Sequence, residues 1–119
     1  VTRPPSVTVI GGLFVAVGVL SLVGQLVVFD NAPPTFVSTL PGDFGYVAVT
    51  AIAAILGGAF VLRGADWARW LLGAWLAFHV ALSLGHGALE LAVHTALAVI
   101  GSWLLWRAPA SAWFRAADR

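Results

Sequence analysis

Every basic residue of this chain lies before the first, beside the join of the second and third, or after the fourth of four long apolar segments. The two other connections between these segments contain no Lys or Arg. Because basic residues next to membrane segments are retained on the cytoplasmic side, the pattern predicts four spans with both termini in the cytoplasm. The basic residues are Arg3, Arg63, Arg69, Arg107, Arg115 and Arg119.

The composition favours a membrane protein over a soluble one. Hydrophobic residues make up 61% of the chain, charged residues 9%, and the mean hydropathy is +0.97, whereas soluble domains are about 25% charged. We therefore predict one integral membrane domain over residues 1–119, with the lipid bilayer as its main surroundings. The arginines are too few for a nucleic-acid footprint. With no cysteine, the chain has no disulfide, no thiolate metal site and no thiol redox chemistry of its own.

The predicted fold class is all-α, an antiparallel bundle of four transmembrane helices with both termini inside. A proline-rich outer connection cannot continue a helix and is predicted to lie outside the bilayer, with Phe36, Val37 and Leu40 on the membrane surface. Asp66 is predicted to cap the third helix. The predicted spans are 7–29, 46–62, 67–84 and 87–106, with the outer loop at 30–45 and a cytoplasmic tail at 107–119 that forms a short interfacial helix or an extended end.

Small and aromatic residues add predictions about packing and depth. Helices in lipid approach each other closely through small side chains, so the glycines of the first two spans predict tight packing there. A stripe in the third span, Gly73, Ala77, Ala81 and Gly85, is predicted to face a neighbouring helix. Tryptophans favour the headgroup layer, which predicts a belt at the cytoplasmic boundary formed by Trp67, Trp70, Trp103, Trp106 and Trp113.

The residues with chemical content surround the short turn Gly85-His86-Gly87. His79 and His94 lie equally far from the centre of this turn, so both are predicted about 11 Å from it on adjacent helices. His86, Glu90 and His94 recur every four residues and share one helix face. The sequence therefore predicts that four side chains converge near the outer face: His79, His86, Glu90 and His94.

Three interpretations of this cluster are open. In the first, the histidines bridge helices or bond to backbone carbonyls. In the second, His79, His86, Glu90 and His94 bind a metal ion, or His79 and His94 bind a haem or a chlorin cofactor. In the third, the histidines and Glu90 form a proton relay or a quinone-facing pocket. No spacing among them matches a recognised metal motif.

Two stretches carry a resemblance to known proteins. The segment RPPSVTVI at residues 3–10, followed by a glycine-bearing span, and the segment GADWARWLL at residues 64–72 resemble small four-helix bacterial membrane proteins of uncharacterised families. DoxX-like proteins are a looser comparison, and the closing Pro109 and Trp113-Phe114-Arg115 fit the same pattern. The resemblance implies the fold and a bacterial cytoplasmic (inner) membrane location. It assigns no activity and says nothing about the histidines.

Two classes of function follow from the sequence. The first is a non-catalytic subunit or accessory protein that packs against a membrane-protein partner or a second copy of itself. The second is a metal-, haem- or pigment-binding protein that uses the cluster, with a redox or proton-relay activity. Phosphate-binding loops and serine-based catalytic arrangements are absent from the sequence, so we assign no catalytic residue.

Overall fold

A computed structural model describes residues 2–31 and 41–119, and all regular secondary structure in this part of the chain is helical. Prolines begin or lie near the start of three helices, where the missing N–H costs no hydrogen bond. Gly64 and Gly87 have φ angles of 88° and 116°, which suit the tight turns before α3 and α4. The helices are α1 (Pro5–Asn31), α2 (Pro41–Leu62), α3 (Asp66–Ser83), α4 (Ala88–Trp106) and α5 (Ala108–Ala117).

Three of these helices are long and apolar enough to cross a membrane: α1, the segment Phe44–Leu62 of α2, and α4. The helix α3 is not among them, because Asp66, Arg69 and His79 lower its mean hydropathy. The helices therefore indicate a multi-pass membrane protein, as expected. A fourth crossing by α3 stays a prediction.

The outer connection is shorter than the sequence suggested. Residues 30–45 were expected to be non-helical, yet α1 continues to Asn31 and α2 begins at Pro41. A proline is tolerated at the first position of a helix, which explains why Pro41 starts α2 instead of delaying it. The predicted surface residues Phe36, Val37 and Leu40 lie outside the described residues.

The helices pack mainly against their neighbours in sequence, and α1 also contacts α4. Glycines bring α1 and α2 closest together. A Cβ atom added to Gly58 would lie 2.6 Å from the carbonyl oxygen of Gly11, and one added to Gly18 would lie 2.6 Å from that of Ala51. The tight packing predicted for the first two spans is therefore present.

The predicted small-residue stripe of α3 does not pack as expected. Gly73 lies against the Trp106 ring, but Ala77, Ala81 and Gly85 are exposed. The large side chains of α3 are buried instead: Leu76 lies against Gly101 of α4 and Leu72 against Gly57 of α2, and burying them removes more apolar surface than burying alanines.

The apolar core lies at the end of the helices that carries the arginines. It joins the start of α1 to the end of α2, the start of α3, the end of α4, and α5. In α1, by contrast, no residue of 19–31 is buried. The largest fully buried apolar side chains are Phe114, Leu72, Leu105, Val7 and Val61.

The tail forms the helix α5, and this helix folds back onto the core. Trp113 is only 8% exposed and lies near Gly64, while Phe114 is fully buried. The helix α5 turns the Trp113 ring inward, and the place of Trp113 at the cytoplasmic boundary stays a prediction. Trp67, Trp70 and Trp103 are more than half exposed at the same end, in keeping with the belt.

Charged side chains lie at two helix ends beside this core. The guanidinium of Arg3 donates to the carbonyl oxygen of Leu62 at 2.8 Å, where the α2 dipole is negative. Asp66 was expected to cap α3, but the helix begins at Asp66 itself, and no side-chain hydrogen bond caps it. The Asp66 carboxylate forms an ion pair with Arg69 instead.

Candidate functional site

A cavity of about 380 Å³ lies beside the turn between α3 and α4, and the start of α2 forms its third wall. All four residues that the sequence singled out line it. Two more were not anticipated: Tyr46 from α2 and Leu82 from α3. We call this space the histidine cavity, lined by Tyr46, His79, Leu82, His86, Glu90 and His94.

His79 is held on α3 by an aromatic stack and a backbone contact. Its Nδ1 lies 2.9 Å from the carbonyl oxygen of Trp75, one turn earlier. The imidazole stacks on the Trp75 indole with 3.7 Å between the ring centroids. The indole N–H in turn donates to the carbonyl oxygen of Thr50 on α2 at 2.9 Å. These contacts fix the ring of His79 relative to both α2 and α3.

His94 and His79 are brought together across the α3–α4 pair. Their ring centroids are 6.0 Å apart and their planes differ by 26°. Equal distance from the turn was the basis for expecting them at one depth, and the ring separation agrees with that geometry.

Ser83 provides the polar link between the two helices. Its side chain is fully buried, and its hydroxyl donates to the carbonyl oxygen of His79 at 2.7 Å. The hydroxyl oxygen of Ser83 also lies 2.8 Å from Nδ1 of His94. That Nδ1 lies 2.9 Å from the carbonyl oxygen of Glu90. Ser83 lies four residues after His79, which is the sequence signal for this role.

His86 and Glu90 form the exposed side of the cavity. Nδ1 of His86 lies 2.8 Å from the carbonyl oxygen of Leu82. Both residues are exposed, unlike the half-buried His79 and His94.

The three histidines share one hydrogen-bonding arrangement, in which Nδ1 faces a carbonyl oxygen one turn earlier. A carbonyl oxygen only accepts hydrogen bonds, so the neutral rings are assigned the Nδ1–H tautomer. Each Nε2 then keeps a lone pair. The histidine cavity is therefore lined by hydrogen-bond acceptors, to which Glu90 adds carboxylate oxygens.

The side chains of the histidine cavity have a limited capacity to bind metal ions. Within residues 2–31 and 41–119, no group of three or more His, Asp or Glu side chains is arranged to hold a metal ion. Metal binding by His79, His86, Glu90 and His94, and cofactor binding by His79 and His94, stay predictions.

Comparison with known proteins does not assign this chain to a family. No protein-family model, curated protein or solved structure matches this chain. The function is therefore argued from the chain's own residues.

A second polar site, which the sequence did not indicate, surrounds Arg69 at the opposite end of α3. Arg69 is only 9% exposed, although arginine is rarely buried, and its guanidinium makes several contacts. It lies over the rings of Phe114 and Trp106, with distances of 5.1 and 5.8 Å to their centroids, and donates to the Ser111 hydroxyl at 3.3 Å. Together with its ion pair to Asp66, these contacts attach α5 to α3.

Proposed function

We propose that this chain is a four-crossing protein of the bacterial inner membrane, with both termini in the cytoplasm, and that it acts as a non-catalytic subunit or accessory protein of a membrane complex. The observation that carries this proposal is the helix surface that the chain's own helices leave uncovered. In the most apolar window of α4 only 11% of the residues are buried, against 28% in those of α1 and α2.

The uncovered face of α4 suits another helix. A shallow groove runs along it, and alanines recur at four-residue spacing at positions 88, 92 and 96. Small side chains allow the close backbone approach that drives helix association in lipid. A partner helix, from another membrane protein or a second copy, therefore gains contacts on this face.

The position of α3 supports the fourth crossing. It contacts both α2 and α4, which are themselves apolar enough to cross. Its 18 residues rise about 27 Å, close to the thickness of the hydrocarbon layer. The arginines at its first end and the uncharged turn at its second end fit opposite sides of a membrane.

Native mass spectrometry of the protein, extracted in mild detergent, tests the accessory role. We expect a complex of fixed stoichiometry that contains a second copy or another membrane protein. The double variant Ala92→Leu, Ala96→Leu fills the α4 groove and is expected to dissociate this complex. The matched double variant Ala77→Leu, Ala81→Leu changes two exposed alanines of α3 at the same spacing and is expected to leave it intact.

A monomer that carries only lipid, both in detergent and in lipid nanodiscs, would reject the accessory role. An intact complex in the Ala92→Leu, Ala96→Leu variant would place the contact elsewhere than on α4, and dissociation by both double variants would show that the loss is not specific to α4.

The acceptor-lined histidine cavity favours a second candidate, a protein that binds a metal ion, haem or chlorin. Nε2 of three imidazoles is left without a backbone partner there, and imidazole Nε2 is a common ligand atom. The absorbance spectrum and metal content of the purified protein test this candidate. Stoichiometric cofactor that is lost in the variant His79→Ala, His94→Ala supports it, and a colourless, metal-free protein excludes it.

A further inference from the structure

An apolar groove between α1, α3 and α4 lies next to the histidine cavity, nearer the arginine-bearing end of the helices. The Trp75 ring lies between the two spaces. It lines the groove and stacks on His79, which lines the cavity. On α4, His94 lines the cavity and Leu97, one turn further, lines the groove. The polar space and the apolar space therefore follow one another along the same pair of helices.

We propose that these two spaces form one binding site for a membrane amphiphile with a hydroquinone headgroup and a hydrocarbon tail. The headgroup occupies the histidine cavity and the tail lies in the groove. The proposal rests on α3 and α4 lying in the bilayer, as proposed above, and it does not depend on a partner protein or a metal.

The hydrogen-bonding character of the cavity selects the headgroup. Because Nδ1 of His79 and His94 donates to backbone oxygens, their free Nε2 atoms accept and do not donate. A ligand that supplies two hydroxyl donors satisfies them, whereas a quinone, which only accepts, does not. In the bilayer no water donates to an acceptor that a ligand leaves unpaired, and this costs free energy, so the reduced form is preferred.

The depth of the two histidines argues for a neutral headgroup. They lie about 11 Å along their helices from the turn, inside the layer where a full charge is expensive. A phenolic hydroxyl donates without carrying a charge. The volume of about 380 Å³ lies within the range of small-molecule sites.

The groove admits a tail from the lipid side. Leu13, Leu97 and Ile100 line it and are each more than half exposed. Their exposed faces lie within α1 and α4, helices apolar enough to cross a membrane. An alkyl or isoprenoid chain therefore reaches the groove sideways from the bilayer, without passing through water.

Binding of a decyl-substituted benzohydroquinone and the matching benzoquinone to the full chain in lipid nanodiscs tests the site, with oxygen excluded. We expect the hydroquinone to bind about tenfold more tightly than the quinone, as one to two hydrogen bonds imply. His79→Phe and His94→Phe keep a ring in place but remove the acceptor. Each is expected to weaken hydroquinone binding about threefold, and the two together about tenfold, and to leave quinone binding unchanged.

The tail is tested separately. Leu97→Trp fills the groove. It is expected to weaken binding of the decyl compounds but not binding of the same hydroquinone without its tail. Val99→Trp adds the same bulk on α4 at a position that does not line this groove, and is expected to have no effect.

Equal affinity for hydroquinone and quinone, an affinity ratio unchanged in both histidine variants, or stronger binding of decylamine than of the hydroquinone would overturn the proposal. A purely structural role of the histidines changes thermal stability but not the affinity ratio. Loss of the accessory role leaves this ratio unaffected, so the two proposals fail independently.

Discussion

At the scale of single residues, the hydroxyl of Ser83 is the group that connects α3 to α4. It is fully buried and contacts the His79 carbonyl and His94 Nδ1 at the same time. Replacing it by alanine leaves the imidazole with one fewer partner across the interface. We expect Ser83→Ala to lower the free energy of unfolding by about 1 kcal/mol.

Unfolding in mixed micelles of increasing SDS fraction measures this change. Ser102→Ala, at a half-buried position of α4, is the matched control and is expected to shift the midpoint less. An equal shift in both variants would show that the Ser83 link contributes nothing specific.

Arg69 presents the opposite situation, a charge held inside the protein. Its ion pair with Asp66 and its position over two aromatic rings compensate for its burial. Arg69→Gln leaves the carboxylate without its partner and removes both cation–π contacts. We expect a loss of about 2–4 kcal/mol and release of α5.

Limited proteolysis of the tail, together with SDS unfolding, tests this expectation. Arg115→Gln removes an equal charge from an exposed position of α5 and is expected to leave proteolysis unchanged. Equal protection of α5 in the Arg69 variant and the parent protein would contradict the role given to Arg69.

The positions of the functional side chains were partly predictable at this scale. Helix geometry alone places His79 and His94 at one depth, because both distances are counted from the same turn. The contribution of Tyr46 was not predictable, since it depends on how the start of α2 packs against α3 and α4. The burial of Arg69 was also missed, because an arginine near a membrane segment normally remains in the headgroup layer.

At the scale of helices, the close contact of α1 with α2 depends on two backbones that nearly touch. A Cβ on Gly58 would meet the Gly11 carbonyl oxygen at 2.6 Å, and a backbone atom cannot rotate away. We expect Gly58→Ala to separate the helices and to lower the free energy of unfolding by about 1–3 kcal/mol.

Gly12→Ala is the control for this prediction, because a Cβ there meets nothing within 4 Å. Its stability is expected to be unchanged or slightly raised, since alanine forms helix better than glycine by about 1 kcal/mol. Equal destabilisation by both substitutions, measured by SDS unfolding, would mean that helix contact is not the cause.

The helices also show where sequence patterns fail. The glycines of the first two spans were right as a sign of close packing at Gly11 and Gly58. The four-residue spacing in α3 was wrong for Ala77 and Ala81, because spacing defines a face without naming what covers it. Aspartate is a common residue at helix N-caps, yet the Asp66 carboxylate pairs with Arg69 instead. Local patterns therefore predicted the elements well and their contacts less well.

At the scale of the whole molecule, the arginine-bearing end of the helices is closed and the end with the histidine cavity is open. The core and α5 seal the first end. At the second end the last part of α1 and the first part of α4 bury almost nothing, and the histidine cavity lies there, whereas the apolar groove lies nearer the core. The core and the histidine cavity therefore lie at opposite ends of the same helices.

The topology is testable because the chain has no cysteine, so single introduced cysteines are labelled without background. If α3 crosses the membrane, Asp118→Cys and Arg63→Cys lie on the cytoplasmic side and Gly85→Cys lies outside. In intact cells, an impermeant maleimide is expected to label only the Gly85 variant, while permeabilised cells expose all three. These positions are exposed, so burial in the fold does not protect them. If Arg63→Cys and Gly85→Cys behave alike in intact cells, both labelled or both protected, the two ends of α3 lie on one side, and the chain crosses the membrane with α1, α2 and α4 alone.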